Sequence, residues 1–236
     1  MPDFSIEKNL KCNGFVFGLD EAGRGPWCGP VVAACVCFYK KFYDTNCLNF
    51  QTASDGFLSF LFEDETKREE AAYLLRELND SKKLSAKKRE KLFPLIFRHA
   101  IVGVGQASAQ EIDELNILQA SFLAMRRALD SVIEQGYRPA HALIDGNRLP
   151  KSWPEPCTCI VKGDSKSLSV AAASVVAKVT RDHIMQALAG EFPAYGWERN
   201  AGYGTKDHIS ALNEYGVTVH HRKSYAPIKR LLDTAR

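Results

Sequence analysis

Residues 15–38 constrain the fold of this chain more than any other stretch. The run 15–19 is apolar and ends on two adjacent acids, Asp20 and Glu21. Gly-Pro pairs at 25–26 and 29–30 follow, and a second apolar run fills residues 31–38. β-Branched and aromatic residues without breakers read as strands, and Gly-Pro pairs as turns. Two adjacent strands joined this tightly pair antiparallel. The first ends in carboxylates, the oxygen ligands that hard cations such as Mg²⁺ and Mn²⁺ prefer. Gly23 and Gly25, on either side of Arg24, leave backbone N–H groups open to an anion. Metal and phosphate chemistry is the first reading. Strand alternation places Val16, Gly18 and Asp20 on one face. Glu21 then reaches the same ions only if the chain turns out of the strand at that point, a change of direction the glycine-flanked turn can supply.

Downstream patterns extend this pair into a layered fold. Residues 85–98 fit a basic amphipathic helix capped by Ser85, with Leu92, Leu95 and Ile96 inward. Residues 100–108 alternate like a third strand, 117–135 have helical spacing, and 142–145 and 158–161 are short apolar strands. A long helix is expected over 167–188 and another near 206–214. Strands separated by helices pair parallel. The prediction is an α/β fold, a mixed five-stranded sheet flanked by helices over 1–192, with a small helical extension over 193–236. Residues 43–79, acidic and poor in Gly and Pro, read as an excursion with a helix over 66–78.

Charge is uneven along the chain. Residues 80–99 carry Lys82, Lys83, Lys87, Lys88, Arg89, Lys91 and Arg98 against Asp80 and Glu90. The last forty residues are also net positive, whereas 43–79 is net negative. Two basic segments apart from an acidic one fit a polyanion partner, with a solvated helix face as the alternative. No apolar run has membrane-spanning length and the N-terminus lacks a signal-peptide pattern, so a cytoplasmic protein with no membrane role is expected. Seven cysteines, an odd number, argue against a disulfide framework. Cys35 and Cys37 share one strand face, as do Cys157 and Cys159. Small buried hydrophobes are the common use of such residues, and a four-thiolate zinc site is the alternative.

Two further acids occupy positions like that of Asp20. Asp145 ends the run 142–144, and Asp164 follows residues 160–163 and precedes the long helix. Ligands of open α/β sheets bind beyond the carboxyl ends of the strands. Asp20, Glu21, Asp145 and Asp164 can converge there. Repulsion would raise some of their pKa values, and two divalent cations would offset it and set up in-line phosphoryl transfer. Taken singly, each acid also reads as a turn former or helix cap.

Several motifs now line up in order: Asp20-Glu-Ala-Gly-Arg-Gly-Pro26, Asp80-Ser-Lys-Lys-Leu-Ser85, Ile144-Asp-Gly-Asn147, Lys162-Gly-Asp-Ser165, Ala171-Ala-Ala-Ser174, Ala177-Lys-Val-Thr-Arg-Asp182, Gly202-Tyr-Gly-Thr205 and His221-Arg-Lys-Ser-Tyr225. Together they resemble the ribonuclease HII family. The resemblance implies an RNase H-like fold and hydrolysis, with two Mg²⁺ or Mn²⁺ ions, of RNA in RNA–DNA hybrids and beside single ribonucleotides in duplex DNA. It implies Asp20, Glu21, Asp145 and Asp164 as catalytic acids and metal ligands. Gly23, Arg24 and Gly25 would sense the ribose 2′-OH, and Tyr203 would lie against the next sugar. Lys82, Lys83, the 85–98 helix, Arg222 and Lys223 would contact phosphates. Lys178 and Asp182 read as an i,i+4 surface pair. His183, His208, His220 and His221 show no metal spacing and receive no chemistry. Trp27 and Cys28 stand where smaller or aliphatic residues are usual, beside the sensing loop. The rivals are another nuclease of this fold, a Holliday-junction resolvase or type-3 ribonuclease H, and a non-catalytic hybrid-binding module. No P-loop is present. A monomer is expected, and no motif assigns a sliding-clamp partner.

Overall fold

The two apolar runs are the strands expected. In the computed structural model, which describes residues 1–10, 12–39, 42, 64–149 and 153–234, β1 (Phe15–Ala22) pairs antiparallel with β2 (Val31–Phe38). β3 (Ala100–Ala107) extends the antiparallel side, and β4 (Pro139–Asp145) and β5 (Cys157–Ile160) extend the parallel side. The sheet order is β3-β2-β1-β4-β5, so the mixed five-stranded sheet is as predicted.

Nine helices of four residues or more are described: α1 (Ser5–Asn9), α2 (Glu65–Glu77), α3 (Ala86–His99), α4 (Ala109–Leu115), α5 (Ile117–Glu134), α6 (Leu168–Glu191), α7 (Trp197–Asn200), α8 (Lys206–Tyr215) and α9 (Ala226–Thr234). Ser85 caps α3 as expected, its Oγ accepting from the Lys88 N–H at 3.3 Å. The excursion's helix is α2. Residues 43–63 of that excursion lie outside the described residues.

Alternation decides which helix each strand residue meets. Ala34, Val36 and Phe38 face α6 together with α2 and α3. Phe17, Leu19, Ala33, Cys35 and Cys37 face α5. The long helix approaches β1 at backbone distance. A Cβ on Gly18 would lie 2.3 Å from the Ser169 carbonyl carbon, so only glycine admits the N-terminal turn of α6 there. That turn is fastened from outside by Glu7 of α1. Its Oε1 accepts from Ser167 Oγ (2.6 Å) and from the Ser169 N–H (3.2 Å).

The four thiols settle as hydrophobes. All four meet the α5 side of the sheet, but β2 and β5 are separated by β1 and β4. Three strand spacings place the pairs roughly 14 Å apart, beyond the reach of one zinc ion. Residues 193–234 build a smaller cluster, where Tyr195, Trp197, Ala211, Leu212 and Ile228 pack on Met185 and Ala189 of α6 and on Cys28.

Candidate active site

Parallel pairing of β1 with β4, and of β4 with β5, sets three strand ends side by side. Asp20 lies near the end of β1, Asp145 is the last residue of β4, and Asp164 sits in the 3₁₀ turn Gly163–Ser165 after β5. One carboxylate oxygen from each lies within 4.8 Å of the other two. Among the described residues, no other group of three His, Cys, Asp or Glu side chains converges in this way. The expected convergence therefore holds for three of the four acids.

Glu21 takes a different position. The chain does not turn out of the strand before it, because β1 continues to Ala22 and Glu21 stays in register with Ala33. Alternation then sends Asp20 to the α6 side and Glu21 to the α5 side. Glu21 lines a cavity of about 370 Å³ with Arg24, Asp145, Asn147, Arg148 and Phe122. Asp145 and Asp164 line a second cavity of about 340 Å³, with Asp80, Lys82, Lys83 and Lys162. Asp145 is the wall shared by the two.

The cluster carries more negative charge than its neighbours offset. Asp20 accepts the Glu21 N–H (2.7 Å) and Asp145 accepts the Gly163 N–H (2.7 Å). The Lys82 ammonium stays 3.9 Å from Asp164. Burial, then Glu21 and Asp145, push the Asp20 pKa well above the usual carboxylate range. Burial and Asp145 raise that of Asp164. Burial raises that of Glu21 as well, against the opposing pull of Arg24. A buried all-oxygen donor set that lacks a close counter-charge fits a hard divalent cation. Divalent ions held by Asp20, Asp145 and Asp164 would neutralise the repulsion and supply Lewis-acid activation of water and phosphate.

The Asp80-Ser-Lys-Lys motif is built to present its lysines. Asp80 caps the short turn Ser81–Lys83 by accepting the Lys82 N–H at 2.9 Å. The buried Ser81 N–H donates to Ser174 Oγ of α6 (3.1 Å). Lys82 and Lys83 are left exposed at the rim of the second cavity.

The turn after β1 is braced by two arginines. Arg222, expected on phosphate, is fully buried and cannot reach one. Its guanidinium instead donates to the carbonyls of Gly23 (2.6 Å), Arg24 (3.0 Å), Gly29 (3.0 Å) and Pro30 (3.2 Å). Arg181, on α6, is buried as well and donates to the carbonyls of Pro30, Cys28 and Ala201, each at 3.0 Å. A Cβ on Gly23 would strike the Arg181 side chain at 2.1 Å, so the first glycine of the turn makes room for the brace. The two arginines leave Arg24 and Gly25 at the surface. The exposed Tyr203 ring lies over Gly25, 3.4 Å from where a Cβ would stand.

Trp27 closes this assembly. Its backbone bonds Gly202 on one side and Arg222 on the other, both at 2.8 Å, and its ring occupies the space a Gly204 side chain would need. Lys223 is exposed, with its backbone N–H on Asp113 (2.8 Å). Lys178 and Asp182 do pair (2.6 Å), and Arg89 Nη2 of α3 lies 3.8 Å from Asp182, so the pair also ties α6 to α3.

Three carboxylates that converge at the ends of β1 and β4 and in the turn after β5 form a donor set of the kind used in metal-assisted phosphodiester hydrolysis. Residues 65–228 match the family model described as ribonuclease HII. The ribonuclease HII of Magnetococcus marinus is 50% identical over 98% of this chain and 95% of its own length. The crystal structure of ribonuclease H2 from Pyrococcus horikoshii superposes with a TM-score of 0.61 at 22% identity, over 93% of this chain and 98% of that one. Bst-RNase HIII in complex with Mn²⁺ gives 0.65 at 17% identity, over 97% and 72%. The chain belongs to the ribonuclease HII family, and it is an endoribonuclease acting on the RNA of RNA–DNA hybrids.

Proposed function

We propose that the protein also incises duplex DNA on the 5′ side of single embedded ribonucleotides, leaving 3′-OH and 5′-phosphate ends, in ribonucleotide and primer removal. Mg²⁺ or Mn²⁺ serves as cofactor; Bst-RNase HIII, a structural neighbour, is known in complex with Mn²⁺. Asp20, Asp145 and Asp164 would hold the ions, with Glu21 acting beside Asp145 from the adjoining cavity. Gly23, Arg24 and Gly25 would meet the ribose 2′-OH, and Tyr203 the following sugar. Lys82, Lys83 and Lys223 would contact phosphates, and such contacts position a duplex without reading its sequence. The cluster is complete within one chain, which supports a monomeric enzyme. Free cysteines at every described thiol support a reducing, cytoplasmic setting.

The observation that carries this reading is the join between cluster and turn. Glu21 follows Asp20 directly and pairs with Arg24 at 3.3 Å. A sugar held by the turn therefore has its phosphate beside the acids. The test is a DNA duplex with one ribonucleotide, incubated with Mg²⁺, with Mn²⁺ and with a chelator. A metal-dependent nick 5′ to the ribonucleotide, with none in all-DNA duplex, is expected. Cutting of branched all-DNA substrates instead would overturn the reading in favour of a resolvase.

A further inference from the structure

His208 and His221 are both buried, and the proposed function leaves them without a role. Their hydrogen bonds form a closed chain that ends on Tyr203. His208 Nδ1 lies 2.9 Å from the Tyr203 carbonyl, which can only accept, so Nδ1 carries the proton. His208 Nε2 is then a bare acceptor. Trp197 Nε1–H donates to it at 3.2 Å. His221 Nε2 lies 3.0 Å from the same atom and must also donate. That leaves His221 Nδ1 bare, and the Thr218 N–H donates to it at 2.9 Å. Each partner fixes the next, so both rings are neutral and of single tautomer. Burial supports this by lowering both pKa values, that of His221 to about 4.

The next residue after His221 is Arg222. The segment bridges Cys28 in antiparallel fashion, so consecutive side chains point opposite ways. His221 thus reaches Tyr203 through His208, while Arg222 holds the carbonyls of Gly23 and Arg24.

We infer that His208 is a positioning residue that fixes Tyr203 through its Nδ1–H, and that the dipeptide His221-Arg222 sets the spacing between Tyr203 and the Gly23–Gly25 turn. The device would determine how strictly the enzyme demands a ribose followed by a deoxyribose. This rests on the proposed reading of Tyr203 as the contact for the sugar after the cut.

Two substitutions separate the ends of the ring. His208→Asn keeps a donor at the Nδ1 position and loses the Nε2 end, whereas His208→Gln does the reverse. The assay measures kcat/KM on duplex DNA with one ribonucleotide and on a continuous RNA–DNA hybrid, alongside thermal melting. The Gln variant is expected to lose about tenfold on the single-ribonucleotide duplex and less than threefold on the hybrid, through KM. The Asn variant keeps the bond to the Tyr203 carbonyl but loses the link to His221, and is expected to shift the ratio the same way by less than the Gln variant. Equal ratios in the Gln variant and wild type would overturn the inference, as would equal losses in Asn and Gln. Should the Gln variant not fold, His221→Phe removes the second donor and is expected to shift the ratio the same way; an unshifted ratio there overturns the inference. Tyr203→Ala separates the two levels. If it collapses the ratio and the Gln variant does not, only this inference fails. If Tyr203→Ala leaves the ratio intact, the reading of Tyr203 fails, and the inference with it.

Discussion

The acid cluster and the arginine brace are two largely buried charge groups that meet at the turn after β1, and they are solved in opposite ways. At the cluster, Asp20 and Asp145 each have one backbone donor, and Asp164 has the Lys82 ammonium at 3.9 Å. At the brace, the guanidinium of Arg222 meets four carbonyls and Tyr225 Oη, and Arg181 meets three. Buried charge is costly unless hydrogen-bonded. The brace meets that cost within the protein and so behaves as scaffold. The cluster leaves it open, which is what a site that must accept cations requires. A group with every bond filled holds shape, and a group with bonds missing holds ligand.

The sharpest way to break this contrast is to neutralise one member on each side. Asp20→Asn should lower hybrid cleavage about a thousandfold, since loss of several kcal/mol of cation-supplied stabilisation corresponds to roughly three decades. The same variant should melt no lower than wild type in chelator, because it removes a repelled carboxylate. Steady-state cleavage and calorimetry with EDTA check the two halves. Arg222→Met should do the reverse to stability. It strands the carbonyls of Gly23 and Gly29, while that of Arg24 keeps the Tyr225 hydroxyl, and should cost about 3 kcal/mol, roughly 10 °C in Tm. An Arg222→Met protein that melts like wild type would show that the carbonyls find water, and that the brace is not the scaffold.

Much of this contrast is legible in the sequence, but unevenly. The strands around Asp20 can be read because alternation and turn residues are local signals. The three aspartates can be read because each follows a short apolar run. Expecting a turn where the strand continues misplaces Glu21, although strict period 2 already assigns it to the other face. Arg222 is misread from sequence because a basic residue near the C-terminus looks the same whether it meets phosphate or carbonyls. What decides is the convergence of the 23–30 backbone on it, a tertiary fact. Arg181 does carry a signal. Ala177, Arg181, Met185 and Ala189 follow one another at i+4 and all are buried, so the spacing alone places Arg181 on the inward stripe. Helices α1, α4 and α7 are too short for periodicity to show.

Adding metal to the folded protein probes the open side directly. Mg²⁺ or Mn²⁺ at tenfold its Kd should stabilise wild type by about 1.4 kcal/mol, a rise in Tm of roughly 3–5 °C. Asp20→Asn should abolish most of that rise and Arg222→Met should retain it on its lower baseline. Differential scanning fluorimetry without substrate reads this apart from catalysis. A wild-type Tm unmoved by either ion would mean that the cluster is closed by its own hydrogen bonds, and the contrast would collapse.

Glu7 sharpens the comparison from between the two extremes. It is a buried carboxylate with two donors from the N-terminal turn of α6 on Oε1, and none on Oε2. Burial outweighs those bonds and raises its pKa above 4.5. Below that value the folded and unfolded chains are both protonated, and Glu7 has no pH-dependent effect. As pH rises, the unfolded chain releases the proton first, so stability falls until the folded carboxyl ionises too, and is level beyond that. Glu7→Gln removes this slope. The difference in urea midpoint between the Gln variant and wild type should therefore move in favour of Gln between pH 4 and pH 8. The acid cluster contributes a slope of the same sign, but equally to both proteins, so it cancels in the difference. A difference that stays flat would place Glu7 with the brace: the turn of α6 would then satisfy its charge as completely as the carbonyls satisfy Arg222, and burial alone would not separate the two kinds of site.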